Sequence, residues 1–214
     1  GLGYRISSIL TSVAGTSMLL LLVLTMVVSL IMGMGVPTTA AYLVLASLVA
    51  PTMIQLGIPP LAAHMFIFYF GCISSITPPV ALAAYAGAGL AGCDPNKTGY
   101  KAFRLAFCSF LMPYLFVYNP VLLMEGGVLD ILWSLVTALI GAYLLASGFE
   151  GFFFRWSLKW FERPLMILGA VMLIVPGMVT DLVGIAIIVV EFVTEFMFKR
   201  SEKFVPVTVS QSTT

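Results

Sequence analysis

Charge is what this sequence lacks. No Asp, Glu, Lys or Arg occurs from Ile6 to Cys93, a run of 88 positions. A single membrane-crossing helix needs only about 20 apolar residues. A water-soluble fold could not use so long a run, because its outer faces would have nothing polar to present. Over all 214 residues only 9% are charged and 61% are hydrophobic, where a soluble domain has about a quarter charged. Membrane insertion is the reading this leaves.

Chemistry-bearing residues are equally scarce. His64 is the only histidine and stands in an apolar run with no carboxylate or cysteine at metal-ligand spacing. It reads as a hydrogen-bonded packing residue. Cys72, Cys93 and Cys108 form neither a metal pattern nor a disulfide framework and read as small buried hydrophobes. There is no Ser/His/Asp pairing, no Gly-rich phosphate loop and no carboxylate pair within the spans. Asp181 and Glu191 are adequately explained by a loop or a membrane boundary. These absences argue against an enzyme and against any organic cofactor. A net charge of +1 argues against a nucleic-acid partner. The chain begins at Gly1, not Met, and has no signal-peptide pattern, so it reads as the C-terminal part of something longer.

What is present is a series of apolar runs. Ile9–Met32 is long enough to cross once and ends in Gly33-Met34-Gly35-Val36-Pro37. A second run, Thr38–Leu56, ends in Gly57-Ile58-Pro59-Pro60. The next two, Leu61–Ile73 and Val80–Ala91, are too short to cross and flank Ser74-Ser75-Ile76-Thr77-Pro78-Pro79. They predict half-helices meeting at an interrupted tip, a re-entrant hairpin. One long helix kinked at Pro78-Pro79 is the alternative. Ordinary spans are predicted over Ala102–Met124 and Leu129–Phe149, followed by an aromatic, basic loop, Phe152–Trp160. A last pair, Pro164–Thr180 and Leu182–Phe198, leads to a polar tail.

Basic residues set an orientation. Lys97, Lys101 and Arg104 form one cluster, Arg155, Lys159 and Arg163 a second, and Lys199, Arg200 and Lys203 a third. Two predicted crossings separate each cluster from the next, and the short loops between hold Glu125, Asp130 and Asp181. The positive-inside rule then places all three clusters, Lys97–Arg104, Arg155–Arg163 and Lys199–Lys203, on the cytoplasmic side.

Chemistry can sit at the two interrupted segments. Unwound backbone in a membrane leaves carbonyl oxygens without helical donors, a costly state unless something occupies them. A sodium ion can, joined by hydroxyls from Thr38, Thr39, Ser74, Ser75 or Thr77. The half-helix after a break offers free N–H groups to an anion. Passive membrane domains also carry such breaks as hinges, so a non-transporting scaffold subunit or a selective channel remains a second reading.

Residues 33–92 resemble the end of the large membrane subunit of TRAP (tripartite ATP-independent periplasmic) transporters. The match rests on Gly-Met-Gly-Val-Pro-Thr-Thr-Ala-Ala at 33–41, Gly-Ile-Pro-Pro at 57–60, Ile-Thr-Pro-Pro-Val at 76–80 and Gly-Leu-Ala-Gly at 89–92. Val36-Pro37-Thr38-Thr39 is similar to the fused-permease branch served by TAXI-type binding proteins. The resemblance implies an all-α polytopic fold of the bacterial inner membrane, the second half of an inverted-repeat transporter with a broken helix and a re-entrant hairpin. It implies sodium-driven import of small organic anions (dicarboxylate, keto acid or amino acid) delivered by a periplasmic binding protein. By motif position, Gly33, Ser74, Thr77 and Val80 are similar to the family's sodium-coordinating positions, with Gly35, Thr38, Thr39, Ser75, Pro78 and Pro79 in support. Ser74 stands where glycine is expected in relatives. The upstream half of the same permease would complete the site. Residues 1–150 are then the C-terminal repeat and 151–214 an extension, with Phe161–Lys203 resembling the extra C-terminal region of some fused permeases.

Overall fold

The computed structural model describes Arg5, Ser8, Ser12 and residues 17–153, 156–175 and 177–198. The chain divides into two compact units, Gly1–Leu135 and Val136–Thr214.

In the first unit, α1 (Met18–Gly33) starts on Ser17, whose side chain accepts the Leu20 N–H at 3.4 Å. Of the earlier part of the first apolar run, Ile9–Thr16, only Ser12 is among the described residues. Gly35 turns the chain with φ +76°, a conformation costly for any residue with a Cβ. The second run is one helix too few in the sequence reading. It divides at Val49 into α2 (Thr38–Leu48) and α3 (Ala50–Gln55), because Pro51 has no N–H to give the Ser47 carbonyl. Then α4 (Pro60–Ile73) opens on prolines, at positions where a missing N–H costs nothing. A 3-10 turn, Ser74–Ile76, follows, then α5 (Leu82–Ala91) and α6 (Pro95–Ala106). Asp94 caps α6 by accepting the Lys97 N–H at 2.9 Å.

The expected plain span over Ala102–Met124 is not one helix. It consists of the end of α6, a 3-10 turn at Phe107–Leu111, α7 (Met112–Tyr118) and a second 3-10 turn at Pro120–Leu123. Pro113 and Pro120 each open a new turn, and Asn119 between them leaves helical geometry at φ −133° and ψ 79°. By contrast α8 (Val128–Glu150) matches its prediction. It is the one helix among the described residues that is long and apolar enough to cross a membrane.

The core of this unit is an α1–α4 seam closed by α2, α3 and α7. On α1 the buried positions Leu21, Leu22, Thr25, Ser29 and Gly33 follow helical spacing. On α4 they are Ala62, Ala63, Phe66, Ile67, Phe70 and Gly71, among others. Leu45, Val49, Ala50, Met53, Ile58 and Val117 complete the cluster. Phe66 and Phe70 meet Tyr114 edge-on, with ring centroids 5.3 and 6.1 Å apart. His64 lies 3.1 Å through Nδ1 from the Tyr42 hydroxyl, a packing pair.

The second unit joins residues 136–150 of α8 to α9 (Glu162–Ile174) and α10 (Met178–Phe198). Between them a small antiparallel ladder pairs β1 (Phe152–Phe153) with β2 (Trp156–Ser157), an element the sequence reading had as plain loop. Glycine sets the helix spacing here: a Cβ on Gly148 would stand 2.8 Å from Ile167, and one on Gly141 would collide with Ile174. Helix α9 ends at Ile174 and α10 begins at Met178, so the boundary between the last two helices comes earlier than expected. Asp181 is therefore not a loop residue. It sits buried in the first turn of α10, where the helix dipole favours an acid, and Glu191 is buried within the same helix. None of the three cysteines is in a disulfide; Cys72 and Cys108 are half-buried, and Cys93 is exposed, contrary to the burial expected of it. Arg155, Lys199, Arg200 and Lys203 of the basic clusters lie outside the described residues.

Candidate functional site

The two interrupted segments, 41 residues apart between Gly33 and Ser74, touch one another. At Gly33, the last residue of α1, a Cβ would lie 2.5 Å from Ser74 Oγ, 3.0 Å from Ser74 Cβ and 3.3 Å from the Gly71 carbonyl oxygen. Only glycine lets the helix end come so close to the tip. Two residues on, a Cβ at Gly35 would be 3.7 Å from Val80 Cγ1. The interrupted tip, Ser74–Val80, thus rests on the end of α1 and the turn that follows it.

The tip itself is not helical. Thr77 is extended (φ −99°, ψ 122°), Pro78-Pro79 is a cis peptide bond, and Ala81 has φ −60° and ψ 66° before α5 begins. Ile73 and Val80 therefore do not share a continuous helix, and the kinked-helix alternative fails. Pro78 and Pro79 lack N–H groups, so the carbonyls of Ser74 and Ser75 lose their usual i+4 donors. The Thr77 N–H turns back to the Ser74 carbonyl at 3.2 Å.

Hydroxyl orientation at the tip is uniform. Ser74 donates to the Gly71 carbonyl at 2.6 Å, Ser75 to Cys72 at 2.7 Å and Thr77 to Ile73 at 2.8 Å. Each hydroxyl has spent its one proton on α4, and its oxygen lone pairs remain to accept. Ser74 and Thr77 are 1% and 6% exposed, so those lone pairs sit where bulk water does not compete for them. Oxygen acceptors without matching donors, on a neutral tip, suit a cation rather than an anion. Just beyond, the first turn of α5 has no side-chain cap, so its N–H groups have the opposite preference, for an anion.

Of the other predicted site residues, Thr38 and Thr39 stand exposed at the start of α2, and Pro79 is exposed at the tip. Ser75 and Pro78 are half-buried there.

Two features of the site went unread in the sequence. Tyr85 ties the tip down: its hydroxyl donates to the Pro79 carbonyl at 2.9 Å, and Gly99 of α6 packs so closely that a Cβ would lie 3.0 Å from its ring. Thr25 and Ser29, two turns and one turn before Gly33 on the same face, are fully buried with hydroxyls that have no hydrogen-bond partner. Their i, i+4, i+8 register with Gly33 was the available signal.

The sequence matches the family model for the DctM component of the tripartite ATP-independent periplasmic transporters over residues 1–131. The chain belongs to this family. It is therefore a helical component of a TRAP-type secondary transporter of the bacterial inner membrane, and the family is one of transporters, not enzymes. TRAP transporters work with a periplasmic binding protein and a small membrane component. No curated protein and no solved structure gives a match. Within the matched residues fall both interrupted segments and Tyr85.

Proposed function

We propose that this chain forms the second half of a sodium-coupled importer of small organic anions, of the dicarboxylate, keto acid or amino acid class. A TAXI-type periplasmic protein delivers the anion. One coupling sodium ion sits where the broken helix meets the tip, held by backbone carbonyls at Gly33, Ser74 and Val80 and by the carbonyl and hydroxyl oxygens of Thr77. Gly35, Thr38, Thr39, Ser75, Pro78 and Pro79 line or shape the surrounding space, and the upstream half of the permease supplies the rest of the substrate site.

The observation that supports this reading is the contact between Gly33 and the hydroxyl-bearing tip. A buried, uncharged cluster of oxygen acceptors is costly in a membrane unless a cation occupies it. Occupying it would join α1 to the tip and favour the anion site at α5, which is how cation and anion binding become coupled.

The test is uptake by the full-length permease in proteoliposomes with its binding protein, with and without a sodium gradient. Wild type takes up anion only with sodium. Thr77→Ala removes one ligand, so the half-saturating sodium concentration rises at least several-fold while protein yield holds. Uptake indifferent to sodium would remove the ion site and leave the membrane fold standing.

A further inference from the structure

Helix α6 presents its two faces very differently. Gly99, Ala102, Phe103 and Ala106 face inward: Gly99 is buried against Tyr85, and Phe103 packs edge-on against Phe110 at 5.4 Å. Lys97, Lys101 and Arg104 recur at i, i+4 and i+7, one ridge on the opposite side, and all three are exposed. The ridge covers about 10 Å along the axis. No ion pair engages any of the three among the described residues, and the nearest acid in sequence, Asp94, is occupied in capping α6. Flanking the ridge are Tyr100 at 68% and Leu105 at 70% exposure, and Leu90, near the end of the preceding helix, is 93% exposed.

This combination fits neither plain solvent nor plain hydrocarbon. Large apolar side chains are costly in water, and unpaired cations are costly in lipid tails. Both are satisfied at the headgroup layer, where ammonium and guanidinium groups reach phosphates while their stems and neighbours lie against acyl chains. We infer that the outward face of α6 binds the anionic phospholipid headgroups of the membrane, with Lys97, Lys101 and Arg104 as the phosphate contacts and Tyr100 and Leu105 as the apolar seat. The inference is independent of the cation site at the tip.

The experiment is a thermal-unfolding series on the full-length permease in neutral detergent, with phosphatidylglycerol or phosphatidylcholine added. Phosphatidylglycerol raises the melting temperature of wild type by several degrees and phosphatidylcholine does not. The combined variant Lys97→Gln, Lys101→Gln, Arg104→Gln loses at least half of that rise and keeps the wild-type melting temperature in phosphatidylcholine. On the wild type alone, the rise shrinks as potassium chloride is added, because exposed charge pairs are screened. A triple variant that keeps the full rise, or a rise insensitive to salt, overturns the assignment. Soluble glycerol phosphate reproducing the whole effect also overturns it, since the face would then be an anion site without a bilayer.

Discussion

At Gly33 a single hydrogen in place of a methyl group decides whether α1 and the tip can meet. Gly33→Ala drives a Cβ to 2.5 Å from Ser74 Oγ, an overpacking that costs about 1–3 kcal/mol in a rigid interior. Uptake should fall sharply in this variant. Removing the obstacle from the other side should repair it: Gly33→Ala with Ser74→Gly clears the Oγ and Cβ contacts and leaves only the 3.3 Å approach to the Gly71 carbonyl. Recovery of most of the lost uptake in the double variant checks the contact, whereas additive losses would refute it. Thr25 makes a contrasting case on the same helix face. Its hydroxyl is buried and has no partner, and such a group costs about 1–3 kcal/mol. Thr25→Val keeps the shape and should raise the melting temperature of the purified protein.

Among elements, the tip is held by its neighbours more than by itself. The Tyr85 hydroxyl bridges back to Pro79 across the non-helical stretch, a bond worth about 0.5–1.5 kcal/mol. Tyr85→Phe should leave the fold intact and raise the half-saturating sodium concentration modestly, less than Thr77→Ala does. Which elements could be read from sequence follows from how local their causes are. The breaks after Gly33 and at Ser74–Pro79 were legible because proline lacks an N–H whatever surrounds it, and α8 because its apolar length is unmistakable. The same reasoning should have divided residues 102–124 at Pro113 and Pro120, but hydropathy alone reads that stretch as continuous. The turn ahead of Asp181 was misplaced because an acid looks like a loop until a helix start is seen to favour it. Tyr85 over Pro79, and the orphaned hydroxyls of Thr25 and Ser29, depend on packing partners that no spacing rule names.

For the molecule as a whole, orientation can be read with a reagent. Cys93 is exposed and free beside the first basic cluster, while Cys72 and Cys108 are half-buried. With Cys72→Ser and Cys108→Ser in place, a membrane-impermeant maleimide should label Cys93 in inside-out vesicles and spare it in intact spheroplasts. The reverse pattern would invert the assignment of the basic clusters. The contact between Gly33 and Ser74 also bears on how the protein is made. The tip, the helix end beneath it, the Tyr85 tether and Gly99 all fall between residues 33 and 99. Domains form in the order of synthesis, so this half-site can be assembled on the nascent chain before α8 has left the ribosome. Lesions in the last two helices should then lower the amount of permease that survives quality control, while the molecules that survive keep the wild-type affinity at the proposed sodium site.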